Sequence, residues 1–161
     1  MLEELIQKIT DLPSFYQVLM IFVIGFVPFL ESHVAVPLGV IVDLPFVPIT
    51  LVAIVANFIS VMFLIVFASF LRTNMFKKKG TSVLASRINK AQYYFNRYGV
   101  PGLSLMGPII GANHISAFVS MMAGATRRQV IIWQFISITA WGIGTGILLI
   151  YGIDVYNLLK E

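Results

Sequence analysis

A chain of 161 residues that is 58% hydrophobic and 11% charged, with a mean hydropathy of +0.91, has too little polar surface for a soluble domain and reads as an integral membrane protein. Cysteine is absent, which excludes disulfides and thiolate chemistry. The net charge of +4 does not call for nucleic acid, because most of the positive charge falls in one loop between apolar segments, where membrane topology accounts for it.

In residues 1–15, Leu2, Leu5, Ile6, Ile9 and Leu12 recur at helical spacing and predict a short interfacial helix that ends near Pro13. Glu3, Glu4 and Asp11 stand where a secretory signal would be basic. The next apolar stretch, 16–42, lies between Asp11 and Asp43 and has no basic residue at either end. Its expected arms, Tyr16 to Leu30 and Val34 to Val42, are each shorter than the roughly 20 residues a crossing needs. Pro28, Pro37 and Gly39 are the expected turn residues. The stretch is therefore predicted to dip into the membrane and return, with Glu31 and His33 at its tip. Residues 44–71 are long enough to cross and carry Asn57.

Between Arg72 and Tyr98 the charged residues are Arg72, Lys77, Lys78, Lys79, Arg87, Lys90 and Arg97, with no Asp or Glu, which places 72–98 in the cytoplasm. Within it Leu84, Ile88, Ala91, Phe95 and Tyr98 form the apolar face of an amphipathic helix. Residues 99–126 end at Arg127-Arg128, and the same rule puts that pair in the cytoplasm too. Pro108 and Gly111 divide this stretch into arms of about a dozen residues, roughly 18 Å each, against a hydrocarbon core of about 30 Å. A second re-entrant hairpin, entering from the face opposite the first, satisfies both charge and length. Residues 129–152 then cross back, placing both termini outside, and carry Gly142-x-x-x-Gly146 at the spacing that lets helices approach closely, whether another subunit or the hairpin is the partner.

The expected fold is thus all-α and membrane-embedded: two inverted repeats, each a re-entrant helical hairpin followed by a transmembrane helix, plus amphipathic interfacial helices. Inverted repeats with broken helices are an architecture of transporters, in which the short arms meet near the midplane. Four conventional crossings are the alternative, and they require one basic cluster outside. So few segments offer little protein to shield re-entrant backbone from lipid, so a homodimer or larger assembly in contact with membrane lipids is expected.

The chain has two histidines, His33 and His114, and both sit where an apolar run is interrupted by a Pro, a turn and a polar cluster. Ionisable groups at membrane depth cost about 2.5–3.5 kcal/mol at a helix centre on insertion scales, and such residues mark ion or substrate pathways. Glu31 and His33, two positions apart, can share a proton; Asn113 and His114 from the second hairpin, and Asn57 from the intervening helix, complete a candidate proton and substrate site. No cofactor and no metal is expected, although Glu31, His33 and His114 are of the types that bind zinc or manganese. HExxH, Gly-x-Ser-x-Gly and an Asp pair in a crossing are all absent, so enzyme chemistry is not indicated.

The string Glu31-Ser32-His33-Val34-Ala35-Val36-Pro37-Leu38-Gly39 resembles the signature E-x-R-G-A-I-P-x-G of the prokaryotic small multidrug export protein family, with Glu31, Ala35, Pro37 and Gly39 matching directly. Pro108-Ile109-Ile110-Gly111-Ala112 resembles that family's P-G-T-G-A motif, and Ala56-Asn57 its Gly-Asn pair. The resemblance spans roughly 16–152. It implies a multi-pass protein of the prokaryotic cytoplasmic membrane that exports small compounds. His33 replaces an arginine of the signature, exchanging a fixed charge for a titratable one. A more distant resemblance, carried by the stretch from Ala123-Gly124 to Trp141-Gly142, is to DedA-type membrane proteins, and implies as an alternative a flippase or scramblase for a polyprenyl-phosphate or phospholipid headgroup. Arginines of the DedA-type second hairpin are missing between Met106 and Gly124.

Overall fold

The computed structural model describes residues 7, 9–75 and 82–158, with side chains masked at 74–75, 82–92, 94 and 153–158. Six helices run through it: α1 Ser14–Phe26, α2 Glu31–Ile41, α3 Phe46–Met75, α4 Ser82–Ile110, α5 Asn113–Met122 and α6 Arg127–Leu158. Among the described residues there is no strand. Two stretches are long and apolar enough to cross a membrane, Phe46–Thr73 in α3 and Arg127–Gly152 in α6, whereas α1 and α2 are too short. The chain divides into two compact units, residues 1–57 with 138–161, and residues 58–137.

In the first unit α1 packs on α2. Pro28 ends α1 because the residue before a proline is pushed out of the helical region, and Val27 is extended at φ −70°, ψ 126°. The chain turns through Phe29 (φ 74°) and Glu31 (φ 58°), both left-handed, with the Leu30 and Glu31 amides donating to the Val27 carbonyl at 3.2 Å. Pro37 and Gly39, expected as turn residues, lie inside α2. A proline seven residues into an eleven-residue helix costs one backbone hydrogen bond and leaves the rest of the ladder. Gly39 serves packing, since a Cβ there would collide with Ile49 Cδ1. The core of this unit is Ile21, Ala35, Val36, Ile49 and Ala53.

The N-terminal helix, expected to be interfacial, falls mostly outside the described residues. Its last turn, closed by the Asp11 amide on the Gln7 carbonyl at 2.9 Å, is held by Gln17, whose Nε2 donates to the carbonyls of Ile9 (3.0 Å) and Thr10 (2.9 Å). The Ile9 carbonyl also accepts from the Leu12 amide at 3.1 Å, so Gln17 adds a side-chain donor to a helix end.

In the second unit α4 packs on α5. A kink at Gly99 (φ 64°, ψ −175°) divides α4, in a region of backbone space that only glycine occupies without strain. The segment before it, expected as an amphipathic helix, is helical in backbone from Ser82, and most of the side chains that would define its two faces lie outside the described residues. Pro108, expected in a turn, is in the last helical turn of α4, and the reversal itself is made by Gly111 (φ 154°). Arg72 closes the end of α5, its Nη1 donating to the carbonyls of Met121 (3.3 Å) and Ala125 (3.2 Å). A cation there also opposes the negative end of the helix dipole. Thr126 caps the start of α6, with the Gln129 amide donating to Thr126 Oγ1 at 3.4 Å and the Thr126 hydroxyl donating to Gln129 Oε1 at 3.1 Å.

The second arm of each hairpin ends in the same pattern. In α2 the amides of Val42, Asp43 and Leu44 donate to the carbonyls of Leu38, Val40 and Gly39 at 3.1, 3.1 and 3.0 Å. In α5 those of Ala123, Gly124 and Ala125 donate to Val119, Met121 and Ser120 at 2.9, 3.3 and 3.1 Å. Asp43 (φ 60°) and Gly124 (φ 108°) are the positive-φ residues of the two caps.

Candidate functional site

The polar residues of the first unit gather at the start of α2. Glu31 is fully buried and begins the helix in a left-handed backbone conformation. That conformation costs a non-glycine residue about 1–2 kcal/mol, so burial and backbone are both unfavourable at the same position. His33 Nδ1 lies 3.7 Å from Glu31 Oε2, an electrostatic contact too long for a hydrogen bond. The carboxylate belongs where it stands in one respect: the N-terminal end of a helix carries positive partial charge.

Between these two residues Ser32 points the other way along the helix surface and joins three elements. Its Oγ donates to the Ile138 carbonyl at 3.1 Å and accepts from Asn57 Nδ2 at 3.3 Å. Ser32 and Asn57 are fully buried, and Asn57 Oδ1 is left with no hydrogen-bond partner. The glycines of α6 make this approach possible. A Cβ at Gly142 would stand 3.3 Å from Ser32 Oγ, and one at Gly146 would stand 2.6 Å from both Val36 Cγ1 and the Phe46 ring. The Gly142-x-x-x-Gly146 pair faces α2 through Ser32 and Val36 and α3 through Ile54 and Phe46, whereas Gly144 has nothing within 4 Å.

The second unit assembles a larger set, which contains no carboxyl group. His114 Nε2 is 2.9 Å from Ser60 Oγ of α3. Asn113, fully buried, accepts at Oδ1 from Ser137 Oγ at 3.1 Å, and the same hydroxyl reaches the Ser104 carbonyl at 2.7 Å. One proton serves both contacts. Gln134 Nε2 uses its two protons on Ser116 Oγ (2.8 Å) and Ser104 Oγ (3.2 Å), and Ser116 Oγ donates to the Asn113 carbonyl at 2.9 Å. Gln134 Oε1 has no hydrogen-bond partner and the residue is fully buried.

Of the residues expected from sequence, Glu31, His33 and Asn57 fall in the first unit and Asn113 and His114 in the second. Ser32 connects to Asn57 within its unit, and Glu31 to His33. Sequence reasoning missed Ser32, Ser60, Ser104, Ser116, Gln134 and Ser137 as members of these networks. One signal was present: Asn113, Ser116 and Ser120 stand at helical spacing on one face of α5, and Gln134 and Ser137 on one face of α6.

No curated protein and no solved structure matches the chain. A family model does, over residues 31–143, from the buried Glu31 to one residue past Gly142 and thus across both networks. With that match, and with two apolar helices of spanning length, the chain is a membrane protein and belongs to the small multi-drug export protein family.

Proposed function

We propose that this protein is a small secondary exporter of amphipathic compounds, driven by protons, in which Glu31 and His33 carry the proton and Asn57, Asn113 and His114 line the substrate path. The observation that carries the reading is Glu31: an ionisable side chain, fully buried in an apolar protein, on left-handed backbone beside a histidine. Strain and a buried charge at one residue mark a functional position more often than a structural one. A cap for the first turn of α2 needs neither, because Ser or Asn caps at lower cost.

The fold we propose for it is a pair of inverted repeats, each hairpin dipping into the membrane from its own face. An 81-residue shift takes the start of α3, Phe46, to the start of α6, Arg127; it also takes Ser32 to Asn113 and His33 to His114. The same shift maps each of the three hydrogen bonds that end α2 onto one that ends α5. It exchanges the composition of the two units as well, since each holds one hairpin, one half of α3 and one half of α6. Orientation in the cytoplasmic membrane, with 72–98 and 127–128 inside and both termini outside, follows from the basic residues, and a homodimer supplies the shielding that the hairpins need.

Two experiments test this. Labelling at Lys78 and Arg128 from one side of the membrane is expected to reach both or neither; opposite sides would remove the second hairpin. In liposomes with a proton gradient, Glu31→Gln is expected to stop transport of a fluorescent amphiphile. Wild-type transport by that variant would remove Glu31 from the mechanism. Fluorescent-lipid translocation by the wild type, with no movement of soluble amphiphiles, would favour the lipid-flipping alternative.

A further inference from the structure

The second unit holds a cavity of about 500 Å³ between α4 and α5, a size within the range of small-molecule sites. Tyr98, Ile110 and Ile115 at its edge are exposed, whereas Gly107 and Ser116 are buried. The lining is apolar apart from the tyrosine and Ser116, and it contains no Asp, Glu, Lys or Arg. Gly107 opens the cavity onto the polar network, because a Cβ there would stand 2.9 Å from Ser116 Oγ and 3.0 Å from Asn113 Oδ1.

The hydrogen-bond directions decide what this polar point can recognise. The single Ser116 hydroxyl proton is committed to the Asn113 carbonyl, and one of its lone pairs takes Gln134 Nε2. What remains is a second lone pair, so Ser116 faces the cavity as an acceptor. Behind it, Gln134 Oε1 is another buried acceptor with no partner. A ligand must therefore bring a donor. It must also be uncharged, since a cation here would be desolvated with no carboxylate in the lining to pair with it.

We infer that this cavity binds lipophilic compounds that carry one neutral O–H or N–H donor, with the donor on Ser116 Oγ and the apolar body between α4 and α5, and that it discriminates against permanently charged cations. This names the substrate class of the export reading and rests on that reading only for transport; binding is tested separately.

The experiment uses the full chain in nanodiscs and three fluorescent probes of one shape: 1-hydroxypyrene, 1-methoxypyrene and a trimethylammonium pyrene, each corrected against empty nanodiscs. The hydroxyl probe is expected to bind about tenfold more tightly than its methyl ether, the upper range for one net hydrogen bond, and the ammonium probe more weakly than either. In Ser116→Ala the preference for the hydroxyl is expected to disappear while the ether keeps its wild-type affinity, which also reports an intact cavity. Ile110→Trp, at the exposed edge, is expected to weaken all three by filling the space. Equal binding of hydroxyl and ether to the wild type, or tightest binding of the ammonium probe, overturns the inference, and neither result depends on whether a variant folds. If the hydroxyl preference holds while liposomes show no transport of the probe, the site stands and the export reading fails.

Discussion

The two hairpins solve the same problem with different chemistry. Each must hold a short, broken helix in an apolar protein, and each does so by hydrogen-bonding the start of its second arm to a long helix: Ser32 to Asn57 and the Ile138 carbonyl in one unit, Asn113 and Ser116 to Ser137 and Gln134 in the other. The second unit makes these contacts through Asn, Ser and Gln side chains, with His114 on Ser60 nearby. The first adds a buried carboxylate on strained backbone and a histidine beside it. The difference between the two hairpins is thus the carboxyl group of Glu31, on which the proposed proton role rests.

That comparison breaks most visibly at Glu31. Glu31→Gln is expected to abolish proton-driven transport, a loss of at least about tenfold, while its thermal unfolding stays close to that of the wild type; removing one transition-state or coupling interaction of about 1.4 kcal/mol already gives that factor. A variant that transports normally but unfolds readily would make the carboxylate a structural cap, and the two hairpins would differ only in detail. Packing gives the next largest effect. Gly146→Ala places a methyl 2.6 Å from Val36 Cγ1 and the Phe46 ring, and overpacking of this kind costs about 1–3 kcal/mol. Gly144→Ala, with nothing within 4 Å, is expected to be neutral or stabilising by up to about 1 kcal/mol from helix propensity. Denaturation of the two variants side by side checks both, and equal effects would mean that Gly146 does not face the hairpin.

Smaller effects sharpen the contrast between the polar networks. Arg72→Met leaves the Met121 and Ala125 carbonyls without their donor and is expected to cost about 1 kcal/mol, read as faster hydrogen exchange in the last turn of α5 with α2 unchanged. Gln134→Leu and Asn57→Leu each remove an amide that bonds buried serines. Interhelical hydrogen bonds in membranes average about 0.6 kcal/mol, so Gln134→Leu, which loses two, is expected to destabilise more than Asn57→Leu, which loses one.

Much of this architecture was legible in the chain because the membrane restricts the options. Pro28, expected at a turn, stands just past the end of α1, and the boundary expected between residues 98 and 99 is where α4 kinks at Gly99. Pro37 and Pro108 were read as turns and are helical, because a proline removes one donor but does not by itself reverse the chain when flanking turns hold it. The candidate site was proposed from its ionisable members, and the hydroxyls that the structure places in the polar networks were not anticipated. Glu31 and His33 stand out against an apolar background, whereas a serine such as Ser104 or Ser137 occurs in any helix and becomes part of a site only when an amide such as Gln134 or Asn113 is opposite. The partner of Gly142 and Gly146 was likewise open in sequence, since close-packing spacing says that something approaches and not what.

Arg72 bears on how the molecule is made. It precedes Met121 by 49 positions, so during synthesis the guanidinium at the end of α3 is in place well before α5 leaves the ribosome. The side chain near the end of α3 is then the one that receives the last turn of the later arm. The order is built into the chain: the carbonyls of Met121 and Ala125 meet a donor that is already present.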